Sequence, residues 1–175
     1  MLIENISRDK LITKLKNIYY IRDKIMEYYN TDKIFDGNRC IIEFIYDDSI
    51  DKEELAEYKF DILNSNIYNK KICIYLNRIS DTLLHKFLWK SYIDIDRKIR
   101  ILVLHEYRHY LQIEKLYELD LLDYIDNQWV INLLEEDAES YSIEYVMNNK
   151  ILDLTLLITK ILVEDKVNLR FINKD

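Results

Sequence analysis

The chain holds three histidines, His85, His105 and His109, and two of them fall within the single stretch HEYRH. Residues four apart on a helix stand one above the other on one face. His105 and His109 so placed can direct two imidazoles at one cation in tetrahedral geometry. Glu106 lies beside His105 and angles toward the same point from the side, where it can take a proton from water activated by a metal. The pattern is H-E-x-x-H. The competing reading is a satisfied polar cluster in an ordinary helix. A core helix with His, Glu, Arg and His in its middle carries a large desolvation penalty unless each has a partner. A metal supplies one, and the balance favours a metal site.

Zinc takes a third protein ligand and, in a catalytic site, keeps the fourth position open. No histidine follows His109, which excludes the extended motif with a third histidine. A carboxylate is the remaining ligand type, and Glu135, Glu136, Asp137 and Glu139 compete for the place in NLLEEDAESYS. Ala138 is the small residue that lets this helix approach a neighbour. Glu135 and Glu139 are four apart and share a face. That pair offers one ligand and one acid to orient a ligating histidine through its other ring nitrogen. Glu136 points well round toward solvent, and Asp137 leans toward Leu133, Leu134 and Tyr141 as a buried partner for Arg108. Read alone, the acidic run is a solvated helix face; read with HEYRH, Glu135 is the leading ligand.

HEYRHYLQ followed by LEEDAESYS resembles the gluzincin-type zinc metallopeptidases, in which an H-E-x-x-H helix precedes a second helix with a glutamate ligand. It is similar to small bacterial and phage zincin-like domains and to the ImmA/IrrE group. The resemblance runs from Ile72 to about Val146. It implies His105, His109 and Glu135 as zinc ligands, Glu106 as general base, and a peptide or protein substrate. Glu139 stands where many gluzincins carry Asp, and Arg108 where ImmA/IrrE proteins carry Gly. In zincins the strand lining the cleft binds substrate by strand addition, and KKICIYL is the candidate strand. Tyr141 and Tyr145 are candidate stabilisers of a developing oxyanion. His85, in TLLHKFLWK, reads as an ordinary helix histidine. Gln112 shares the face of His105 and His109, where contact with an orienting group and plain packing fit equally well.

These side chains need positioning elements, and the sequence pattern supplies them. Residues 7–30 space Leu11, Leu15, Ile18, Ile21 and Ile25 as an amphipathic helix. FDGNRC holds the only glycine and reads as a turn, and CIIEFIYDD as a strand. DKEELAEYK suggests a short helix. In FDILNSNIYNKKICIYLNRI, two strand-like runs flank YNKK, a hairpin with an asparagine turn. Residues 81–94 suggest a helix. Residues 94–118 form the long motif helix, capped by Asp94 or Asp96 and apolar nearly all round in its middle. Further helices are expected from about Asp126 and over 152–164, the last with Leu154, Leu157, Ile158 and Ile161 on one face. With one glycine and no proline, turns fall to Asn and Asp, which tolerate left-handed backbone.

At 175 residues the chain is expected to be one domain, residues 1–175, with a core needing no disulfide. Charged residues are 33% and hydrophobic residues 49%, a globular balance rather than a disordered one. The net charge of -7 argues against a nucleic-acid partner, since phosphate contacts need clustered Lys and Arg. No apolar run suits a secretory signal or a membrane span. A cytoplasmic protein with Cys40 and Cys73 as free thiols is the expectation. The fold expected is α+β and zincin-like, a small β-sheet packed against a helical bundle that contains the H-E-x-x-H helix. The function expected is zinc-dependent peptide hydrolysis; the alternative is a zincin-fold regulatory or protein-binding module with little or no hydrolysis.

Overall fold

Alternating apolar side chains in IIEFI, AEYKF and KICIY build the sheet that backs the motif helix. The computed structural model describes residues 8–35, 40–46, 54–64, 66–87 and 92–172. In it β1 (Ile41–Ile45), β2 (Ala56–Leu63) and β3 (Asn66–Tyr75) form a mixed sheet in the order β1-β3-β2. β1 runs parallel to β3, and β2 antiparallel. The register sets Ile42 and Tyr58 opposite Ile72, and Phe44 and Ala56 opposite Ile74. Because side chains alternate between faces, these residues make one apolar face, which packs into the main core. Glu43, Glu57 and Cys73, aligned across the strands, belong to the other face with Lys59 and Lys71.

Among the described residues five α-helices cover the apolar face and extend the fold: α1 (Arg8–Thr31), α2 (Leu76–Phe87), α3 (Tyr92–Glu118), α4 (Gln128–Asn148) and α5 (Thr155–Ile172). This is an α+β architecture, as expected. α1 buries Ile18, Ile21, Ile25 and Tyr29 at helical spacing. Leu15 is 45% exposed, off the stripe expected of it, and the Leu11 side chain lies outside the described residues. α3 joins two cores. Ile99, Val103, Leu104, Tyr107 and Tyr110 pack with α1 and the sheet, while Ile113 and Leu116 pack with Val130, Leu134, Leu157, Ile158 and Ile161. Ala138, wholly buried, is the small residue on the inner face of α4. Leu157, Ile158 and Ile161 of α5 are buried and Leu154 packs beside them, the face its spacing predicts.

Several elements differ from the sequence expectation. Residues 56–59 of DKEELAEYK open the strand Ala56–Leu63 and are not helical, and residues 51–53 lie outside the described residues; Tyr58, Phe60 and Ile62 alternate with Lys59 and Asp61, and pairing with β3 outweighs the helix-forming run before it. YNKK lies inside β3 rather than in a turn. Its left-handed residue, Asn69 at φ 52°, marks an irregularity in the pairing opposite Lys59 and Asp61. The reversal comes earlier, at Asn64, φ 50°. Asp120 and Asn149 take the same conformation at helix ends, so the turns do fall to Asn and Asp. α2 begins at Leu76, ahead of the expected start. α3 already includes Tyr92, which leaves Asp94 and Asp96 inside the helix; Asp96 instead accepts a hydrogen bond from the Tyr20 hydroxyl. Most of FDGNRC lies outside the described residues. Cys40 and Cys73 are free and buried. Among the described residues no helix is long and apolar enough to cross a membrane.

Candidate metal centre

HEYRH falls in the middle of α3, between the sheet on one side and α4 on the other. Apolar residues on both flanks fix the helix, so the polar residues follow it into place. Tyr107 is buried in the main core and donates its hydroxyl to the Ile34 carbonyl. His105 and His109, one turn apart, turn their Nε2 atoms toward each other at 3.1 Å, with the rings nearly perpendicular. Glu135 comes from α4. One carboxylate oxygen lies 3.3 Å from His105 Nε2 and the other 3.4 Å from His109 Nε2. A tetrahedral site with arms of about 2.0–2.1 Å has edges of about 3.3 Å, so these separations suit one small cation. Among the described residues this group alone brings three such donor atoms within 4.8 Å of one another, and it can hold a metal ion.

The electrostatics follow from that convergence. The two facing imidazoles hold the Glu135 carboxyl well below the usual carboxylate range. Burial works against a charged His109, but the hydrogen bond to Glu135 and the charge of Glu106 outweigh it and lift its pKa. Glu106 is only 6% exposed, and burial pushes its carboxyl upward. The neighbouring histidines and a hydrogen bond donated by the Tyr58 backbone N–H oppose that rise.

The donors open on a cleft of about 790 Å³. His105, Glu106, His109 and Glu135 all line it, and its walls are largely apolar, with Ala56, Tyr58 and Phe60 from β2, Ile79 from α2, and Leu102 and Ile113 from α3. The histidine and glutamate ligand types and the spacing of their atoms could hold a metal ion, on a side that opens to the cleft.

Behind the donors sits a buried polar network. Arg108, 2% exposed, donates from Nε and Nη2 to the two oxygens of Asp137 at 2.6 and 3.1 Å, and from Nη1 to the Leu152 carbonyl at 3.0 Å. Its guanidinium stacks over Tyr141 at 4.4 Å. This is the Arg108–Asp137 pairing that the sequence suggests. Gln112 lies between this pair and His109.

Other expectations are redistributed. Glu139 is exposed, and the group on His109 Nδ1 is the Gln112 side-chain carbonyl at 2.8 Å. Gln112 sits on the same helix, rigidly one turn from His109, and so reaches the ring first. Glu136 is exposed, as expected. Tyr141 is buried under Arg108, and the Tyr145 hydroxyl donates to Asp32 at 2.6 Å. Neither lines the cleft; Tyr58 is the tyrosine that does. KKICIYL belongs to the central strand, hydrogen-bonded on both sides, so it has no edge to offer a peptide. The strand along the cleft is β2, whose first half falls in DKEELAEYK, a stretch that suggests a helix; the alternation from Tyr58 to Ile62 is the signal that joins it to the strand-like run from Phe60. The His85 side chain lies outside the described residues.

No protein-family model matches the chain, and no curated protein or solved structure matches it significantly.

Proposed function

We propose that the chain is a zinc-dependent metallopeptidase of zincin-like fold, with His105, His109 and Glu135 as ligands and Glu106 as general base. The observation that carries this reading is the convergence of two imidazole nitrogens and a carboxylate at 3.1 to 3.4 Å on the floor of an open cleft. Unprotonated, these atoms are all acceptors and repel one another, so the arrangement favours a cation among them. Zinc bound there acidifies water and polarises a carbonyl.

The remaining work falls to the chain itself. Glu106, buried beside His105 and steadied by the Tyr58 N–H, accepts the proton that water loses and passes it to the departing amine. β2 has no partner strand on its outer side among the described residues, and it runs along the cleft. An extended peptide added to that edge lies across the donors, with apolar side chains against Phe60 and Leu102.

Metal content of the untagged protein tests the site first. One zinc per chain is expected, lost in His109→Ala and Glu135→Ala. Glu106→Gln is then expected to keep zinc and to lose peptide hydrolysis by about a hundredfold to ten-thousandfold. A wild type that takes up no zinc overturns the metal reading. Zinc binding with no hydrolysis of any peptide library moves the assignment to a regulatory or binding module. Unfolding on chelation marks the metal as structural.

A further inference from the structure

Gln112 is wholly buried, three residues beyond His109 on α3, and every polar atom of its side chain is engaged. Its Nε2 lies 2.9 Å from the Leu134 carbonyl and 2.8 Å from Asp137 Oδ2. Its Oε1 lies 2.8 Å from His109 Nδ1. An amide has two N–H donors on nitrogen and none on oxygen. Two acceptors stand at one end of the Gln112 amide, so the nitrogen must face them. Turned over, its oxygen would meet a carbonyl and a carboxylate with no proton between, a cost borne in full in a buried site. The oxygen therefore faces His109 Nδ1, and that ring nitrogen must carry the proton. The lone pair of a neutral His109 is then on Nε2, the atom facing His105 and Glu135.

Asp137 holds this arrangement from behind. Its Oδ2 accepts from both Gln112 and Arg108, and Arg108 is fixed by the fork on Asp137, the Leu152 carbonyl and the Tyr141 ring. The chain from Arg108 through Asp137 and Gln112 thus ends on one proton of one imidazole.

We propose that Gln112, held by Asp137 and Arg108, is a positioning residue that fixes His109 with its proton on Nδ1 and presents Nε2 to a divalent cation. The inference rests on the metal-site reading above. It assigns to a buried amide the orienting task that metal-ligating histidines more often give to a carboxylate or backbone carbonyl. A neutral acceptor there adds no second negative charge behind the ligands.

The test uses the full chain with nitrogen-labelled histidine, loaded with a spin-active cadmium isotope in place of zinc. Coupling from cadmium to Nε2 of His109 is expected, with a proton retained on Nδ1. Coupling to Nδ1 overturns the proposal, and this measurement needs no variant. Zinc affinity, measured by chelator competition, is then compared with Gln112→Met, which keeps the length of the side chain and removes the acceptor. A loss of about tenfold to a hundredfold is expected, the range for groups that orient metal ligands. The Nδ1 proton signal of the variant should also shift or broaden. Affinity within twofold of wild type and an unchanged ring signal overturn the inference and leave the metal site standing. A wild type that binds neither metal overturns the metal reading and this inference with it. If Gln112→Met does not fold, the cadmium coupling in wild type decides.

Discussion

The two sides of α3 at the motif treat their polar groups in opposite ways. Toward α4 and the Leu152 carbonyl, donors meet acceptors: Arg108 on Asp137, Gln112 on Asp137 and Leu134. Toward the cleft, the Nε2 atoms of His105 and His109 converge with the Glu135 carboxylate, all of them acceptors when both Nε2 atoms are unprotonated. Both sides share the same few turns of helix, but the closed side is largely buried, whereas Glu135 on the cleft side is 58% exposed. On the function proposed above, the difference separates polar residues that serve the fold from those left for chemistry. A closed network is complete without any ligand, whereas a convergent set of acceptors is complete only when something positive joins it. His109 belongs to both sides, tied through Nδ1 to the closed network and through Nε2 to the open one.

The largest effect should come from opening the closed side. Arg108→Met leaves the partly buried Asp137 carboxylate without its opposite charge and with only the Gln112 amide on it, which costs up to about 3–5 kcal/mol for an ion pair broken from one end. A urea melt of the metal-free variant should show that loss. Replacing both partners, Arg108→Met with Asp137→Leu, should recover much of it, because a matched apolar pair leaves no orphan charge. If Arg108→Met melts like wild type, the network is not closed in the sense drawn here and the contrast with the cleft side fails.

A second set of donors gathered on one carboxylate gives a smaller effect with a characteristic pH signature. Asp32, at the end of α1, accepts hydrogen bonds from the Tyr145 hydroxyl, Arg100 and the Ile34 N–H. Burial pushes its carboxyl up, but these donors outweigh burial and hold it below its ordinary value. A carboxyl depressed in the folded state stabilises fully above its unfolded pKa, about 3.9, and loses that contribution as pH falls through the folded pKa. Asp32→Asn should therefore cost about 1.5–3 kcal/mol near neutral pH, the range for hydrogen bonds to charged groups. The gap between wild type and variant should stay level down to about pH 5 and shrink below about pH 4. A gap that stays constant to the acid limit would mean the knot is held by shape rather than charge.

The open side was the more legible in the sequence. HEYRH and Glu135 are short-range signals whose chemistry constrains residue type, and helical spacing alone places the two histidines together. Arg108 with Asp137 was readable for a related reason, since a buried charge needs an opposite one. What resisted reading depends on pairing between distant segments. DKEELAEYK carries the residues of a helix, and only the partner β3 makes part of it a strand. KKICIYL looks the same as an edge or as a centre, because alternation says nothing about how many neighbours a strand has. Asn69 in YNKK could serve a turn or an irregularity in a strand, and the register of β2 on β3 decides. Gln112 was legible in part: spacing puts it on the face of His105 and His109, but an amide has no charge to demand a partner, so its three contacts come from packing alone.

The smallest effect is expected at Glu139, and it bears most directly on where the boundary between the two sides lies. Glu135 and Glu139 share a face of α4 by spacing, and the sequence reading makes the second acid the group that orients a ligating histidine. In the structure Glu139 is exposed, its backbone carbonyl accepts from the Ser142 hydroxyl, and the contact on His109 Nδ1 comes from Gln112. An exposed carboxylate about one helical turn from the donors acts only through screened charge, worth a few tenths of a kcal/mol. Glu139→Gln should therefore change zinc affinity by less than about twofold and stability by less than about 0.5 kcal/mol, as for an ordinary surface change. Glu136→Gln, on the same exposed side, should behave alike. A tenfold loss of zinc in Glu139→Gln but not in Glu136→Gln would bring Glu139 into the centre. The acids of LEEDAES would then divide differently, with two serving the cleft and Asp137 alone serving the fold.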